Sequence, residues 1–228
     1  MRVKNLLEKL KYKSLEKLGS NLIITQKLIL SDKYGKKLDE QFKVSESLVG
    51  NFLQLLYCSF SQKDTINFVS SNFNGTSNNN SLKTVTGVIS PLLSTSGSDC
   101  NIELSILSPA NNGSFGMLFG TDSTTPSPLD YKLNAPIANG NGVGQLNYLA
   151  QGSIQAPIAA GSNTSFILQR IATNTSGGTI NVNEVGIYFY SAAFNTYGNY
   201  ACIYRDVANQ PVLNTQTLTC QITFQITT

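Results

Sequence analysis

The sequence contains no histidine. Without an imidazole, a Ser-His-Asp triad, a Cys-His pair and any histidine metal site are excluded. Charge is also scarce, since Asp, Glu, Lys and Arg make up only 13% of the 228 residues, against about a quarter in ordinary domains. The remaining surface is neutral and rich in Asn, Thr, Ser, Gly and Gln. Such a surface favours repetitive contacts in an assembly, or a loop-rich β-protein, over a charged enzyme cleft.

Cysteine is sparse and scattered. The four residues are Cys58, Cys100, Cys202 and Cys220, with no C-x-x-C pair and no histidine to complete a zinc site. We therefore predict no metal, no cofactor and no catalytic residue. Buried free thiols are the simplest interpretation in a protein made in the cytoplasm. A Cys202–Cys220 bridge stays open, because both residues lie in predicted strands near each other in sequence.

Long apolar runs are missing from the start of the chain. From Met1 to Leu18 a charged residue interrupts the sequence every two or three positions. This pattern contains neither the apolar core of a signal peptide nor a membrane span. We therefore expect synthesis in the cytoplasm and no contact with a membrane.

The charges that are present divide the chain into two parts. Residues 1–63 hold 12 Lys and Arg against 6 Asp and Glu, a net of +6, whereas residues 64–228 hold 4 against 7, a net of −3. The sequence therefore predicts a basic N-terminal attachment segment over residues 1–63, followed by a separate β domain over residues 64–228.

Helical spacing is confined to that basic segment. Residues 3–18 predict a cationic amphipathic helix that ends at Gly19, residues 21–30 predict an extended stretch, and residues 48–60 predict a second, more apolar helix. The segment can attach through protein docking or through nucleic acid. We favour docking by Leu6, Leu7 and Leu10 over nucleic-acid binding by residues 1–43.

Beyond residue 64 the periodicity changes to two. The clearest case is the C-terminal stretch, where Leu218, Cys220, Ile222, Phe224 and Ile226 alternate with Thr and Gln over residues 217–228. Residues 181–206 predict a hairpin in which Val185, Ile187 and Phe189 face the core. Further candidate strands are residues 65–73, 83–89, 101–107, 114–119, 145–151 and 162–173.

Many short strands at regular spacing predict a mainly β fold. We expect an antiparallel β-sandwich, immunoglobulin-like or jelly-roll in topology, with an N-terminal α-helical extension. Between its strands, residues 120–137 contain Pro126, Pro128 and Pro136, and proline cannot donate to a strand ladder. We expect this stretch to form an ordered crossover that Tyr131 and Leu133 anchor to the core.

Carboxylate chemistry is the one catalytic route that remains. Asp122, Asp130, Glu184 and Asp206 could supply a glycosidase pair, but nothing in the sequence places two of them at a suitable separation. We expect instead that Glu184 forms a structural ion pair with Arg205 or with Arg170. Tyrosines that could stack on a sugar give a separate, non-catalytic alternative; they are Tyr188, Tyr190, Tyr197, Tyr200 and Tyr204.

The order of several segments resembles a group of virion structural proteins of tailed bacteriophages. The resemblance covers roughly residues 45–228. It rests on the segments LVGNFLQLLYCSFS (48–61), GTDSTTPSPLDYKLNAPI (120–137), GQLNYLAQ (144–151), TSFILQRIATNTSGGTINVNEVGIYFY (164–190) and IYRDV (203–207). The positions that match the family's motifs are Asp130, Tyr131, Glu184, Gly186, Tyr188, Arg205 and Asp206.

The resemblance implies a non-enzymatic part of a virion, on the capsid, neck or tail. Such a protein would work by self-association, as a trimer or a ring, and by docking to other virion proteins. It would be made in the host cytoplasm and end in the virion. The alternatives are a receptor- or glycan-binding module of a fibre or adhesin, and a pilus-type protein of a cell surface.

Overall fold

The computed structural model describes residues 22–45, 47–61, 81–87, 89–91, 105–152, 154, 156–190 and 200–227. These residues are mainly β, in antiparallel sheets. The predicted helix over residues 3–18 and the predicted strand over residues 65–73 lie outside the described residues. None of the described helices is long and apolar enough to cross a membrane.

Six strands form the larger sheet, in the order β2-β1-β11-β8-β6, with β7 also paired to β8. All of its pairings are antiparallel. Its strands are β1 (Leu22–Ser31), β2 (Lys37–Ser45), β6 (Asn147–Tyr148), β7 (Ile158–Ala160), β8 (Asn163–Thr173) and β11 (Thr217–Thr227).

The smaller sheet has the order β10-β9-β5. Its strands are β5 (Gly116–Gly120), β9 (Ile180–Tyr190) and β10 (Tyr200–Val212). Strands β3 (Ser81–Lys83) and β4 (Ile89–Pro91) form a separate hairpin where the sequence predicts one strand over residues 83–89. The prediction of a single strand is wrong because Gly87 lies at φ +83°, in a turn that interrupts the strand.

The predicted N-terminal α-helical extension is not supported by the described residues. Residues 22–45 form β1 and β2, and β1 pairs with β11 over its whole length, from Leu22↔Ile226 to Ser31↔Thr217. The predicted extended stretch thus belongs to the sheet that carries the C-terminal strand. The one helix among the described residues is α1 (Gly50–Ser61), close to the second predicted helix. The division near residue 63 stays a prediction, because residues 62–80 lie outside the described part.

The main hydrophobic core contains residues of both sheets. Leu218, Cys220 and Ile222 of β11 are fully buried in the same cluster as Val185 and Ile187 of β9, as the sequence predicts. Phe189 instead belongs to a second, small cluster with Leu82 and Ala201. The last predicted core position, Ile226, is 51% exposed, since it lies at the end of the sheet opposite the exposed Leu22.

Phe224 marks the edge of this core. It is 8% exposed and its ring stacks on Phe166 at 5.0 Å between centroids. We expect Phe224→Ala to lower the free energy of unfolding by about 3 kcal/mol, because a buried ring is lost and a cavity remains. Ile226→Ala on the same strand should cost less than about 1 kcal/mol. Urea denaturation of both variants measures these free energies. Equal losses of stability would contradict the burial of Phe224 and the exposure of Ile226.

Cys202 and Cys220 do not form a disulfide bond. Cys202 and Cys220 are both buried and both free, so the bridge left open by the sequence is absent. Cys202 lies on β10 and donates from Sγ to the carbonyl oxygen of Tyr204 at 3.1 Å. The two thiols therefore act as small core side chains.

Candidate functional site

The outer face of β9 is covered by the proline-containing crossover, residues 121–137. Strand β9 alternates Glu184, Gly186 and Tyr188 toward the crossover, and all three are buried. A Cβ at Gly186 would lie 2.9 Å from the side chain of Leu133, so only glycine permits this close approach. The Leu133 amide donates to the hydroxyl of Tyr188. The crossover therefore buries the second face of β9, in addition to the face that carries Val185 and Ile187.

Arg205 lies at the centre of this contact. Its side chain is 1% exposed, and three different nitrogens each donate to a different carboxylate. Nε donates to Glu184 Oε2 at 2.9 Å, Nη1 to Asp130 Oδ2 at 2.7 Å, and Nη2 to Asp122 Oδ2 at 3.0 Å. We call these four residues the Arg205 cluster. Of the two partners predicted for Glu184, Arg205 is the one observed.

The carboxylates of the Arg205 cluster also fasten the crossover backbone. Glu184 accepts from the amides of Asn134 at 3.1 Å and Ala135 at 2.8 Å, and Asp130 accepts from the amide of Ser127 at 2.8 Å. A guanidinium presents its donors in a fixed planar fork. One arginine on β10 thereby joins β9 to two separate parts of the crossover.

The local electrostatics agree with a structural role. Burial alone would lower the pKa of Arg205, but the hydrogen bonds that it donates to Asp130 and Glu184 raise the pKa above its ordinary value. The pKa of Asp122 is lowered by hydrogen bonds from Thr124 and Asn134, with a smaller contribution from the Arg205 charge. An acid whose anionic form is stabilised in this way is poorly suited to donate a proton at neutral pH.

The four acids that the sequence singles out do not form one site. Asp122, Asp130 and Glu184 meet at Arg205, but Asp206 faces the opposite side of β10. There it pairs with Lys43 at 2.8 Å and accepts from the Tyr204 hydroxyl at 3.3 Å. Among the described residues, no group of acids or cysteines is arranged to hold a metal ion.

On the side of β10 that carries Asp206, polar side chains link the two sheets. The hydroxyl of Tyr204 also contacts Gln26 Oε1 at 3.1 Å and Ser45 Oγ at 3.0 Å. Residues Gln26 and Ser45 belong to the larger sheet, whereas Tyr204 and Asp206 belong to the smaller one. This cross-sheet contact has no signal in the sequence, because it depends on the placement of β1 and β2.

A second buried arginine was also missed as a structural centre. Arg170 is 0% exposed. Its guanidinium carbon lies 4.7 Å from the centroid of the Tyr148 ring. No carboxylate within the described ranges pairs with it. Its acceptors are the carbonyl oxygens of Leu149, Phe115, Met117, Pro109 and Asn112 and the hydroxyl of Ser108.

The tyrosines considered as an alternative sugar platform are buried or packed against other rings where the structure describes them. Tyr188 and Tyr204 are 3% and 0% exposed. Tyr190 and Tyr200 are half-buried, and both rings lie 5.8 Å from the ring of Phe115. Tyr197 lies outside the described residues. Packing therefore occupies the described members of the predicted set.

Burial of thiols and phenols makes the folded state less stable at alkaline pH. Desolvation raises the pKa of Cys202 from 9.0 to about 12, and burial also raises the pKa values of Cys220, Tyr148, Tyr188 and Tyr204. These groups ionise in the unfolded chain before they do in the folded one, so stability is complete below pH 9 and falls above it. Desolvation of Arg170, which lowers its pKa to about 10, acts in the opposite sense.

We therefore expect the free energy of unfolding to fall by about 3 kcal/mol between pH 7 and pH 10, since each additional proton lost by the unfolded state contributes about 1.4 kcal/mol per pH unit. Urea denaturation under reducing conditions measures this. Between pH 9 and pH 10, Cys220→Ala should make the free energy of unfolding fall less steeply with pH. The difference in slope should correspond to close to one proton. A pH-independent stability would contradict the buried thiols and phenols.

Comparisons with protein-family models, with curated proteins and with solved structures found no match to this chain.

Proposed function

We propose that the chain is a non-enzymatic structural component of a virus particle, located on the capsid, neck or tail. It acts through self-association, as a trimer or ring, and through docking to other virion proteins. The rigid body is an antiparallel β-sandwich, immunoglobulin-like or jelly-roll, whose two sheets share one core. It is made in the host cytoplasm and carried in the virion.

The Arg205 cluster is the observation that carries the proposal. Asp130, Glu184 and Arg205 are among the positions that match the phage motifs, and they lie 21 to 75 residues apart in sequence yet meet at 2.7–2.9 Å. Gly186 and Tyr188 belong to the same motif and hold the same crossover. Five of the seven matching positions thus act together in holding the crossover, whereas Asp206 contacts Lys43 and Tyr204 on the other side of β10.

The use of the acids supports a structural protein over an enzyme. The carboxylates Asp122, Asp130 and Glu184 are engaged by Arg205 and by backbone amides or neighbouring polar side chains. A catalytic pair needs carboxylates that reach a substrate and differ in protonation. In the Arg205 cluster the acids instead bind one guanidinium and the backbone of one crossover.

Particle fractionation tests the proposal. Particles are purified on a density gradient from the cells that encode the chain, and peptides are quantified by mass spectrometry. We expect the chain to sediment with DNA-containing particles in a fixed ratio to the other virion proteins. Its recovery only in the soluble cell fraction, or in the cell envelope, would overturn the proposal and favour the cellular alternative.

The attachment mode of the basic residues 1–43 needs a separate test. The full chain and a version in which Leu6, Leu7 and Leu10 are changed to Ser are compared for incorporation into particles and for DNA binding. Docking predicts lost incorporation with unchanged, weak DNA binding. Tight DNA binding by the full chain that weakens steeply with salt would indicate the nucleic-acid role instead.

A further inference from the structure

The larger sheet has a second face that points away from the core. We define the outer face by three ranks of residues that lie side by side across β2, β1, β11 and β8. The ranks are Val44–Thr25–Thr223–Ile167, Phe42–Lys27–Gln221–Gln169 and Glu40–Ile29–Thr219–Ile171.

The outer face is almost free of charge. Lys27 and Glu40 are its two charged members, and they pair with each other at 3.3 Å. The remaining positions are Thr, Gln, Ile, Val and Phe, and Ile167 is 47% exposed. Neighbouring Gln221 and Gln169 hydrogen-bond along their rank at 2.6 Å. A sheet face whose two charges pair with each other and whose isoleucine is exposed is suited to packing against another sheet.

The outer face carries both a protruding ring and a hollow. Phe42, on the β2 side, is 41% exposed. On the β8 side a hollow of about 360 Å³ is lined by Gly152, Ala156, Ile158, Ser165, Phe166, Ile167, Gln169 and Gln221. Ile158 on its rim is 60% exposed. The ring and the hollow therefore lie at opposite edges of one face.

The strand register makes these two features self-complementary. Phe42 and Gln169 belong to the same rank, with Lys27 and Gln221 between them. Consider a two-fold axis that runs parallel to the strands, above the outer face and midway between β1 and β11. This axis places each rank of one copy over the same rank of the other copy, with β2 over β8. It carries Phe42 of one copy over Gln169, and thus over the hollow, of the other. The same contact then occurs twice, as an isologous interface requires.

We infer that the outer face is a two-fold contact between two copies of this chain. The inference rests on the proposed self-association and names the surface that performs it. Four strands at about 4.8 Å spacing and ten residues at about 3.3 Å give a face of about 600 Å². The low end of the range for stable interfaces is about 600 Å² on each partner, so the outer face by itself corresponds to a small stable interface.

A two-fold contact restricts the oligomer. It produces a dimer, or it joins two trimers or rings back to back. It cannot by itself form an isolated trimer. An even number of copies in solution therefore follows from this contact.

Cross-linking in trans tests the register. Full-length Phe42→Cys and Gln169→Cys variants are prepared separately, mixed, and treated with a short bismaleimide under reducing-agent-free conditions. We expect a covalent dimer in the mixture and much less in either variant alone. The unchanged chain reports the background from its own cysteines, of which Cys202 and Cys220 are buried.

Other outcomes overturn the inference in distinguishable ways. A dimer formed by Phe42→Cys alone would place the axis across the strands and overturn the register. An oligomer in light scattering without any cross-link would overturn the outer face as the contact but leave the proposed function standing. A monomer at high concentration, with Gln169→Cys protected from thiol reagents, would indicate that residues 1–21 of the same copy cover the face. That result would also remove the self-association on which the proposed function depends.

A charge placed on the outer face gives an independent test. Ile167→Lys should raise the dissociation constant at least tenfold, because two lysines per interface would be buried without partners. The matched control is Leu129→Lys, since Leu129 is 60% exposed on the crossover, away from this face. Both variants should unfold like the unchanged chain. Equal association by both variants would overturn the inference.

Discussion

Arg205→Met should lower the free energy of unfolding by about 5 kcal/mol, enough to unfold a domain of marginal stability. The substitution keeps most of the volume of the side chain but leaves Asp122, Asp130 and Glu184 facing one another without a cation. A buried charge that loses its partner is penalised far more than a surface charge. Hydrogen exchange should also increase over residues 121–137, because the crossover loses its fastening.

A double-mutant cycle separates the ion cluster from simple packing. Glu184→Gln in the Arg205→Met background should cost less than the same change in the unmodified chain, by about 1–3 kcal/mol. Lys37→Met is the control, because Lys37 forms an exposed pair with Glu40 at 3.0 Å, and surface pairs contribute about 0–1 kcal/mol. Additive effects in the cycle, or a loss below about 1 kcal/mol for Arg205→Met, would contradict the structural role.

Arg170→Met is expected to cost about 4 kcal/mol. The guanidinium donates to six acceptors, and the change leaves buried carbonyl oxygens of Phe115, Met117 and Leu149 without these donors. Each unsatisfied buried acceptor costs about 1–3 kcal/mol, although relaxation and water entry reduce the sum. Arg170→Lys should recover only part of the loss, because an ammonium cannot reach acceptors on both sides of a planar fork.

The control for Arg170 is Lys36→Met, on the exposed turn between β1 and β2, which should change stability by less than about 0.5 kcal/mol. Urea denaturation of the three variants gives the values. Near-ultraviolet circular dichroism of the aromatic core adds a second readout, because Tyr148 packs on Arg170 at 4.7 Å. A stable Arg170→Met variant with unchanged aromatic signals would contradict the buried acceptor set.

The sequence predicts best where a strand has a strict alternation. In β11, Leu218, Cys220 and Ile222 alternate with Thr and Gln, and the structure buries the apolar set. The prediction fails where neighbours decide burial. Glu184 and Gly186 of β9 have the composition of a wet face, yet the crossover covers them. Strand β2 was missed because Lys37, Asp39 and Glu40 give it the composition of a polar loop, and only pairing with β1 makes it a strand.

The candidate site was predicted in part for a similar reason. The pairing of Glu184 with Arg205 follows from two adjacent strands, so sequence spacing indicates it. Asp122 and Asp130 reach Arg205 from a crossover 83 and 75 residues away, and no periodic pattern reports such a path. Arg170 was considered only as a possible partner of Glu184, because carbonyl acceptors leave no trace in the side-chain sequence.

Imaging of the particle tests the central claim, that this chain is a repeated structural part of a virion, most directly. Purified particles are labelled with a Fab fragment raised against the folded chain and examined by electron microscopy. We predict Fab density at symmetric, repeated positions on the capsid, neck or tail of every particle. Particles that carry no label, while the same Fab detects the chain in the cell envelope or the soluble fraction, would contradict the account.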